Sequence, residues 1–333
     1  MNKLRLLAVD SGYGNTKYIF QNQNGRIEQH FPSIAVRMDD NKSIQTFGID
    51  NRDVIVVDVN NQQFAVGRDA DQLLPPYASR AANLDFINTD EYMALFRGVL
   101  QLCAADFVEL AVVGLPVSLV NTQARHLQKI LAGKHHLGEK IITISNVKVL
   151  PQPLGALIDL AFSTENVEKF KDRSTLIIDP GQFTLDWVVA TGLKHHPMRS
   201  GSHAGGMHVV LEAMAKNISR TYKDVKHVNL LSLESGLRKG EFRIAGNTID
   251  MIPHWEAAIP SIQDSLTALR NVIGDASDID KILLVGGPAS YLRPVIEHLF
   301  PSHAVTIANN PIMANVRGFY IAGSRYLAAK GED

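Results

Sequence analysis

The chain has 333 residues, of which 45% are hydrophobic and 20% are charged, a balance typical of globular rather than disordered proteins. This length allows one large domain or two domains of ordinary size. The formal net charge of −1 supplies no overall positive field, so we expect no direct binding to nucleic acid. The single cysteine, Cys103, cannot form an internal disulfide and indicates a reducing compartment, the cytoplasm.

The N-terminus reads as the start of a strand, with neither the basic region nor the small-residue cleavage site of a signal peptide. No apolar run reaches the roughly 18 residues that a membrane helix needs. Neither end shows an amphipathic extension of the kind that anchors proteins to membranes. We therefore expect no membrane among the partners of this chain.

Residues 6–20 contain an apolar run that ends in Asp10, a turn with Gly12 and Gly14, and a second apolar run that starts at Lys17. This pattern predicts a β-hairpin. The glycines allow the backbone to approach a ligand closely and to point N–H groups at it, which suits a phosphate. Asp10 then suits a hydrated Mg²⁺. For this motif alone, an ordinary glycine-containing hairpin is the stronger interpretation, because short motifs match often by chance.

Residues 32–75 differ in character from the residues before them. Short β-prone runs at 54–57 and 63–67 alternate with turns rich in Asp and Asn, which predicts a small inserted β-rich subdomain. An amphipathic helix is then predicted over 89–105, with Thr89 as its N-cap and two acidic residues in its first turn.

The segment after that helix continues the alternation of strands and helices. Residues 110–116 predict a buried strand, and residues 121–131 predict the next helix. His135 and His136 follow in what reads as a polar turn. Neighbouring histidines can bind a metal, but no Cys or carboxylate lies at ligand spacing, so a solvated pair is the stronger interpretation.

A strand over 141–149 leads into Pro151, Gln152 and Pro153, and a helix follows over 157–162. Two prolines around one glutamine predict a rigid turn between strand and helix. A glutamine at the mouth of a cleft can orient an attacking water without carrying charge. From spacing alone, a glutamine that only starts the helix is an equally good interpretation.

Residues 175–189 repeat the plan of the first hairpin. An apolar run ends in Asp179, Gly181 follows two residues later, and a turn leads into a second apolar run. An internal duplication is a stronger signal than either motif alone. Two such hairpins, one opening each half of the chain, predict two similar domains that face a shared cleft. Their turns could clamp the β- and γ-phosphates of a nucleotide.

Gly205 and Gly206 precede a predicted helix over 208–222. A glycine pair before a helix N-terminus suits a phosphate, although a tight loop fits equally well. Residues 230–260 are more polar and predict a second insertion, and a helix is predicted over 257–272. Four histidines in this region have no recognised ligand spacing and are interpreted as loop residues: His195, His196, His203 and His208.

A buried strand near the C-terminus ends in Gly286 and Gly287, and Pro288 suits the first turn of the helix that follows. The two glycines would let the backbone lie flat against a planar base. A last helix is predicted over 315–329, in which Gly318 marks close packing or a hinge.

Five segments stand in a fixed order: the Asp10 hairpin, the Gln152 turn, the Asp179 hairpin, residues 285–288 and residues 315–318. This order resembles the phosphate-1, connect-1, phosphate-2, adenosine and connect-2 motifs of the actin, sugar-kinase and DnaK-type ATPase superfamily. Within that superfamily the chain is most similar to the ParM/StbA plasmid-segregation actins. Four segments carry this closer similarity: residues 10–17, 113–117, 179–186 and 237–240.

The resemblance implies an α/β fold of two actin-like (RNase-H-like) domains with a nucleotide cleft between them. Each domain would carry a small inserted subdomain. We expect domain I over residues 1–160, with its insertion at about 32–75. We expect domain II over residues 161–333, with its insertion at about 212–258.

The resemblance also implies the site residues and cofactors. The cofactors would be ATP, with GTP as the alternative, and Mg²⁺. Gln152 and Asp179 would be catalytic, and Asp10 and Asp179 would hold the metal through water. The nucleotide-binding residues carried over by the resemblance are Asp10, Ser11, Gly12, Tyr13, Gly14, Asn15, Thr16, Lys17, Gly181, Gln182, Phe183, Thr184, Gly205, Gly206, Lys239, Gly286, Gly287 and Pro288.

Two departures from the ParM pattern affect the expected chemistry. Gln152 stands where ParM-like sequences commonly have Glu, and Pro180, Gln182 and Phe183 replace smaller residues in the second turn. The rate of hydrolysis and the form of the filament are therefore not transferred from the family.

The function implied by the resemblance is a cytoplasmic, filament-forming ATPase that segregates plasmid DNA. Its partners would be further copies of itself and a DNA-bound adaptor protein. A small-molecule, sugar-type kinase of the same superfamily is the main alternative, although no additional carboxylate is placed to act as its base. A DnaK-like or MreB-like ATPase is a further alternative, but no substrate domain follows and no membrane-binding segment is found.

Overall fold

A computed structural model of the chain describes residues 2–38, 52–75, 85–163 and 170–331. The strands are β1 (Lys3–Ser11), β2 (Asn15–Asn22), β3 (Gly25–Pro32), β4 (Val36–Arg37), β5 (Val54–Val59), β6 (Gln62–Gly67), β7 (Phe107–Leu115), β8 (Gly133–Leu137), β9 (Lys140–Pro151), β10 (Ser174–Pro180), β11 (Thr184–Thr191), β12 (Lys194–His195), β13 (Gly201–Ala204), β14 (Phe242–Ile244), β15 (Asn247–Ile249), β16 (Lys281–Leu284) and β17 (Val305–Ile307).

The described helices alternate with these strands. The α-helices are α1 (Asp90–Cys103), α2 (Val117–Leu131), α3 (Gln152–Ser163), α4 (Met207–Thr221), α5 (Leu230–Lys239), α6 (Ile252–Ala258), α7 (Gln263–Ile273), α8 (Ala289–Leu299) and α9 (Ala314–Lys330). Short 3₁₀ turns cover Ala70–Leu73, Phe86–Asn88, Pro197–Arg199 and Ile259–Ile262.

The first large sheet has the strand order β3-β2-β1-β7-β9-β8. Strands β1 to β3 form an antiparallel meander, and β7 and β9 lie parallel to β1. The predicted hairpin over residues 6–20 is confirmed, and the strand that follows it covers Gly25–Pro32. Helices bury the centre of this sheet, so Leu7 and Ala8 are fully enclosed.

The second large sheet has the strand order β12-β11-β10-β16-β17, and β13 pairs with the outer part of β11. Its core repeats the first sheet: the β10–β11 hairpin is antiparallel, and β16 lies parallel to β10. The predicted duplication of an α/β unit is therefore confirmed. Since ligands of α/β sheets bind beyond the carboxyl ends of the strands, the ends of β1 and β10 mark the place to look for a site.

Two small sheets stand apart from the large ones. Strands β4, β6 and β5 form a three-stranded antiparallel sheet within the predicted insertion at 32–75, of which residues 39–51 lie outside the described part. Strands β14 and β15 form a hairpin within the second predicted insertion. The limits of the insertions stay predictions.

Three helix boundaries depend on identifiable residues. The Oγ1 of Thr89 accepts the backbone N–H of Tyr92, so Thr89 caps α1 as predicted. Helix α2 begins at Val117, before the predicted 121, because it starts directly after Pro116. The helix predicted over 257–272 is wrong at its start: a 3₁₀ turn that contains Pro260 separates α6 from α7, since proline has no N–H to donate within a helix.

Several histidines lie in regular structure rather than in turns. His135 is on β8 with its ring buried and its Nε2 2.9 Å from the carbonyl oxygen of Leu131, so the predicted polar turn is wrong. His195 and His203 lie on β12 and β13, and His208 lies on α4. These strands pair with β11, which is why this region is not the loop that its histidines suggested.

The last helix returns to the first sheet. Val316 and Phe319 of α9 pack against Leu6, Ala8 and Val112 of β1 and β7. Each large sheet has its own hydrophobic core, and α9 belongs by contact to the first, although it follows the second in the chain. The domain boundary between 160 and 161 stays a prediction.

Candidate functional site

The turns of the two hairpins have the same geometry. In the first, the backbone N–H of Gly12 donates to the carbonyl oxygen of Asn15 over 3.1 Å. In the second, Gly181 donates in the same way to Thr184 over 2.8 Å. In each case the aspartate lies two residues before the glycine. These two N–H groups close the turns, so they do not point at a ligand as the sequence suggested for Gly12.

The first hairpin carries a neutralised carboxylate. Asp10 is 0% exposed, and Lys17, opposite it on β2, places its Nζ 2.9 Å from Oδ2. The Nε2 of Gln152, the first residue of α3, donates to Oδ1 over 2.7 Å. Both carboxylate oxygens therefore have a donor. A glutamate in place of Gln152 would put a second negative charge beside Asp10.

The second hairpin has a carboxylate where the first has its lysine. Asp179 is buried and paired in register with Asp186. Burial raises the pKa of Asp179 to about 7, and the charges of Asp186 and Asp10 add to the rise. The side-chain amide of Asn315, which donates to Oδ2 of Asp179 over 2.6 Å, and the charge of Lys17 oppose it.

Asp186 connects the two halves of the molecule. Its Oδ2 accepts the hydroxyl of Thr184 over 2.6 Å, and its Oδ1 accepts the backbone N–H of Val117 over 2.9 Å. Val117 is the first residue of α2, in the first half of the chain. Burial raises the pKa of Asp186, and these hydrogen bonds oppose the rise. The carboxylate thus satisfies a helix N-terminus that Pro116 cannot cap with its own side chain.

The two turns touch each other. The ring of Tyr13 lies 4.8 Å from the ring of Phe183 and 5.0 Å from that of Phe86, measured between centroids. A Cβ on Gly14 would lie 3.3 Å from the Cβ of Gln182. The larger residues of the second turn therefore act as packing partners of the first turn.

A cleft opens between the hairpins, and most of the predicted site residues line it. Gly286 is required there for two reasons: its φ is +80°, and a Cβ would lie 2.5 Å from Oδ1 of Asp179. The predicted residues that line the cleft are Asp10, Gly12, Tyr13, Gly14, Asn15, Lys17, Gln152, Asp179, Gly181, Gln182, Thr184, Gly286, Gly287 and Pro288.

Three other predicted residues lie behind the turns. The Oγ1 of Thr16 is 2.9 Å from the Oγ of Ser33, and the O–H of Ser33 donates to the carbonyl oxygen of Gly12. Ser11 is buried and paired with Thr16 across the hairpin. Phe183 packs against Tyr13 and His208. These residues shape the turns but do not line the cleft.

Gly205 and Gly206 also lie outside the cleft, which corrects the prediction of a phosphate site there. Both backbone N–H groups donate to the carbonyl oxygen of Phe183 over 2.9 Å. A Cβ on Gly206 would lie 2.5 Å from the carbonyl oxygen of Gly181. The glycine pair therefore braces the second turn from behind and has no N–H left for a ligand.

Lys239 is a second correction. It borders a separate depression, whereas Glu234, Leu237 and Arg238 of the same helix, α5, line the cleft. These three residues share one helix face at positions i, i+3 and i+4, and Lys239 is turned away from it. Arg238 forms an ion pair with Glu234 at 2.7 Å. Helical spacing could have identified this face from the sequence.

The sequence reasoning also missed other cleft residues. Tyr291 and Ile312 provide apolar surface beside the Gly286 turn, and the hydroxyl of Tyr291 donates to the carbonyl of Leu237 over 2.6 Å. Asn315 lines the cleft next to Asp179, and its Oδ1 is buried without a hydrogen-bond partner among the described residues.

The residues present fit a nucleotide with bound Mg²⁺. Mg²⁺ keeps most of its waters and needs few carboxylates, and Asp10 and Asp179 stand at the two turns. Lys17 adds a compact cation beside them. The Gly286 turn, Tyr291 and Ile312 line the cleft and are available to contact a base. Within the described part of the chain, no cluster of three or more His, Cys, Asp or Glu side chains is arranged to hold a metal by itself.

Two family models match the chain. Residues 8–155 match the N-terminal domain of actin-like proteins. Residues 177–298 match the C-terminal part of MreB-like archaeal actin homologues. A comparison with curated protein sequences gives no match. Of the helices that the structure describes, none is both long and apolar enough to cross a membrane.

Solved structures with a similar fold span the whole chain. A 15-stranded ParM filament from Clostridium botulinum has a TM-score of 0.77 at 23% identity and covers 98% of this chain and 100% of its own. The apo psk41 ParM protein has a TM-score of 0.67 at 20% identity, with 100% of both chains covered. The archaeal actin homologue Ta0583 in complex with ADP has a TM-score of 0.72 at 17% identity and covers 96% of this chain and 99% of its own.

At these identities the structural likeness shows the fold: two similar α/β domains with a cleft between them. The two family models place the same two domains in the same order, and together they span most of the chain. The protein belongs to the actin-like superfamily.

Proposed function

We propose that this protein is an ATPase that binds Mg²⁺ and ATP, with GTP as the alternative nucleotide, between its two hairpins. The observation that carries the proposal is the pair of turns closed by the same hydrogen-bond pattern, each beside a buried aspartate, which line one cleft together. A triphosphate brings the negative charge that Lys17 can balance. Bound Mg²⁺ would supply the charge neutralisation that phosphoryl transfer requires.

Gln152 is proposed to orient the attacking water. Its Nε2 is fixed by Asp10 at 2.7 Å, so its Oε1 is the atom that can accept a hydrogen from water. Asp179, on the opposite turn, would align the metal's water shell. Hydrolysis on this model needs positioning more than covalent chemistry, which suits an uncharged glutamine.

We further propose that the nucleotide controls assembly of the protein with copies of itself. A ligand that contacts both hairpins can favour different closure angles before and after hydrolysis. The similarity to a ParM filament supports self-association. Segregation of plasmid DNA through a DNA-bound adaptor, and a cytoplasmic location, follow from the ParM resemblance and belong to the same proposal.

Calorimetry tests nucleotide binding directly. Asp10→Ala should weaken binding of ATP in the presence of Mg²⁺ by at least about tenfold, since it removes from the cleft a carboxylate that would hold the waters of the metal. Asp224→Ala, which changes an exposed carboxylate that does not line the cleft, is the control and should bind like the parent. Equal affinity in all three proteins would contradict the assignment of this cleft.

Light scattering and sedimentation test assembly. With Mg²⁺ and ATP or GTP, the parent at tens of micromolar should scatter light and pellet, and it should do so less with the diphosphate. A flat signal with both nucleotides across several salt concentrations would overturn the filament proposal. In that case, phosphate transfer to a small acceptor would become the function to test.

A further inference from the structure

Helices α3 and α9 cross in direct backbone contact. The crossing point lies at Gly155 of α3 and Gly318 of α9. A Cβ on Gly318 would overlap the carbonyl oxygen of Gly155, and a Cβ on Gly155 would overlap that of Asn315. Each helix also carries a side-chain amide three residues before its crossing glycine: Gln152 on α3 and Asn315 on α9.

The two amides make equivalent hydrogen bonds to the two hairpins. Gln152 donates to Asp10 over 2.7 Å, and Asn315 donates to Asp179 over 2.6 Å. In both bonds the amide nitrogen is the donor and a carboxyl oxygen is the acceptor. The crossing therefore aims one amide at each of the two aspartates, and each amide keeps its carbonyl oxygen for another donor.

The carbonyl oxygen of Asn315 is the unusual atom in this arrangement. Asn315 is 5% exposed, and its Oδ1 has no partner among the described residues. Buried acceptors are normally satisfied, and one without a partner beside a cleft calls for an explanation. A donor hydrogen on a molecule in the cleft, such as a bound water, would provide the missing bond.

The hydrogen bond also connects α9 to the second sheet. Asn315 belongs to a helix whose following turns pack on the first sheet, whereas Asp179 ends a strand of the second sheet. The first turn of α9 also packs on the second sheet, since Ala314 lies in one apolar cluster with Ile177, Leu283 and Val285. Asn315 therefore stands where α9 passes from the second sheet to the first.

We propose that Asn315 is a positioning residue for Asp179, holding that carboxylate in line with the cleft and offering its Oδ1 to a bound water. This inference rests on the proposed hydrolysis. It makes Asn315 the counterpart of Gln152, because each of the two crossing helices then supplies the amide that holds the aspartate of one hairpin.

Steady-state kinetics test the role. Asn315→Ala should lower kcat by about 10- to 100-fold, the usual effect of removing a group that orients a metal-site carboxylate, and should change KM for the nucleotide by less than about threefold. Asn146→Ala, which removes an exposed asparagine that donates to the carbonyl of Glu109, should match the parent. A kcat within about twofold of the parent for Asn315→Ala would overturn the proposal.

A double-mutant cycle shows whether Asn315 acts through Asp179. In an Asp179→Asn background, adding Asn315→Ala should change the remaining rate by less than about twofold, because the carboxylate to be positioned is already absent. If Asn315→Ala lowers the rate by the same factor in both backgrounds, Asn315 acts independently of Asp179 and the proposal fails.

Thermal unfolding of the ligand-free protein tests the hydrogen bond between Asn315 and Asp179 independently of catalysis. Asn315→Asp should lower Tm by several degrees, because two buried carboxylates would then face each other. Adding Asp179→Asn reverses donor and acceptor and should recover most of the loss, while kcat stays low. A double variant with a Tm no higher than that of Asn315→Asp would contradict the hydrogen bond between residues 315 and 179.

The two failures can be told apart. A parent that hydrolyses no nucleotide contradicts the proposed function, whatever the Tm values show. A parent that hydrolyses ATP at the same rate as Asn315→Ala contradicts only the role of Asn315.

Discussion

The two hairpins of this protein share a backbone and differ in charge. In both turns the backbone N–H of a glycine donates to the carbonyl oxygen of the residue three positions later. Both turns follow an aspartate near the end of a buried strand. Opposite the aspartate, however, the first hairpin has Lys17 and the second has Asp186. The first turn is thus neutralised by its own chain, whereas the second brings two buried carboxylates together.

This difference teaches that duplication of a fold does not duplicate its electrostatics. The first carboxylate is held by a lysine and an amide. The second carboxylate, Asp179, accepts a hydrogen bond from the amide of Asn315, and its pKa is raised. A bound cation would stabilise its ionised form. The asymmetry suits a site in which the second turn gains more than the first from a bound cation. Four predictions test it.

The largest expected effect concerns the ion pair of the first hairpin. Lys17→Met should lower the free energy of unfolding by about 3–5 kcal/mol, because it leaves the fully buried Asp10 without its counter-charge. Chemical denaturation of the ligand-free protein measures this loss. The control is Lys3→Met, which removes an exposed lysine paired with Glu109 and should cost less than about 1 kcal/mol. Equal losses in the two variants would contradict the contrast.

The second prediction concerns pH. The pKa of Asp179 is raised from 3.8 to about 7, so the folded protein binds this proton more tightly than the unfolded chain. Free energy of unfolding is therefore lost as pH rises from about 4 to about 7, and the loss levels off above that range. Asp179→Asn lacks this titration. Its advantage over the ligand-free, metal-free parent should grow across that range to at most about 4 kcal/mol.

Denaturation curves of the two proteins at a series of pH values measure this difference, and the titrations of carboxylates remote from Asp179 cancel in the comparison. A difference that stays constant between pH 4 and 8 would contradict the prediction, because it would mean that Asp179 has the same pKa in the folded and unfolded states.

The third prediction concerns the amide of the first hairpin. Gln152→Ala should leave nucleotide binding and assembly nearly intact and slow phosphate release by about 10- to 1000-fold, the range for loss of one positioned polar group. Filaments of this variant should persist longer after ATP is added. If Gln152→Ala hydrolyses ATP at the parent rate while Asp179→Ala does not, the second hairpin alone holds the water.

The smallest expected effect concerns the packing between the turns. Tyr13 and Phe183 should couple by about 0.5–1.5 kcal/mol, the usual value for an aromatic pair at this distance. A cycle of Tyr13→Leu, Phe183→Leu and the double variant, followed by chemical denaturation, isolates this energy. Additive losses would mean that the two turns do not support each other through these rings.

Much of the fold and the main part of the site could be predicted from sequence, because their signals are local. The apolar runs that end in Asp-x-Gly predict both hairpins. The apolar run before Gly286 and Gly287 predicts a strand followed by a glycine turn, and this turn lines the cleft. The helix cap at Thr89 is equally local. In each case one short stretch of chain contains all the atoms that determine the structure.

The errors concern groups whose partners lie elsewhere in the fold. The sequence does not show that the carbonyl of Phe183 takes the N–H groups of Gly205 and Gly206. The phase of helix α5 places Arg238 in the cleft and Lys239 outside it. His135 is buried because it lies on β8, which pairs with β9. The spacing of Asn315 and Gly318 equals that of Gln152 and Gly155. This repeated spacing is a local signal in the sequence that indicates Asn315.

The central claim is that one magnesium-bound nucleotide is held by both hairpins together, and hydrogen exchange on the intact protein tests it most directly. With Mg²⁺ and ATP, backbone amides of residues 12–16 and of residues 181–185 should both exchange more slowly than in the nucleotide-free protein. Removing Mg²⁺ with a chelator should reverse most of the change in the second segment. Slower exchange in only one segment, or in neither while calorimetry shows that ATP is bound, would contradict the account.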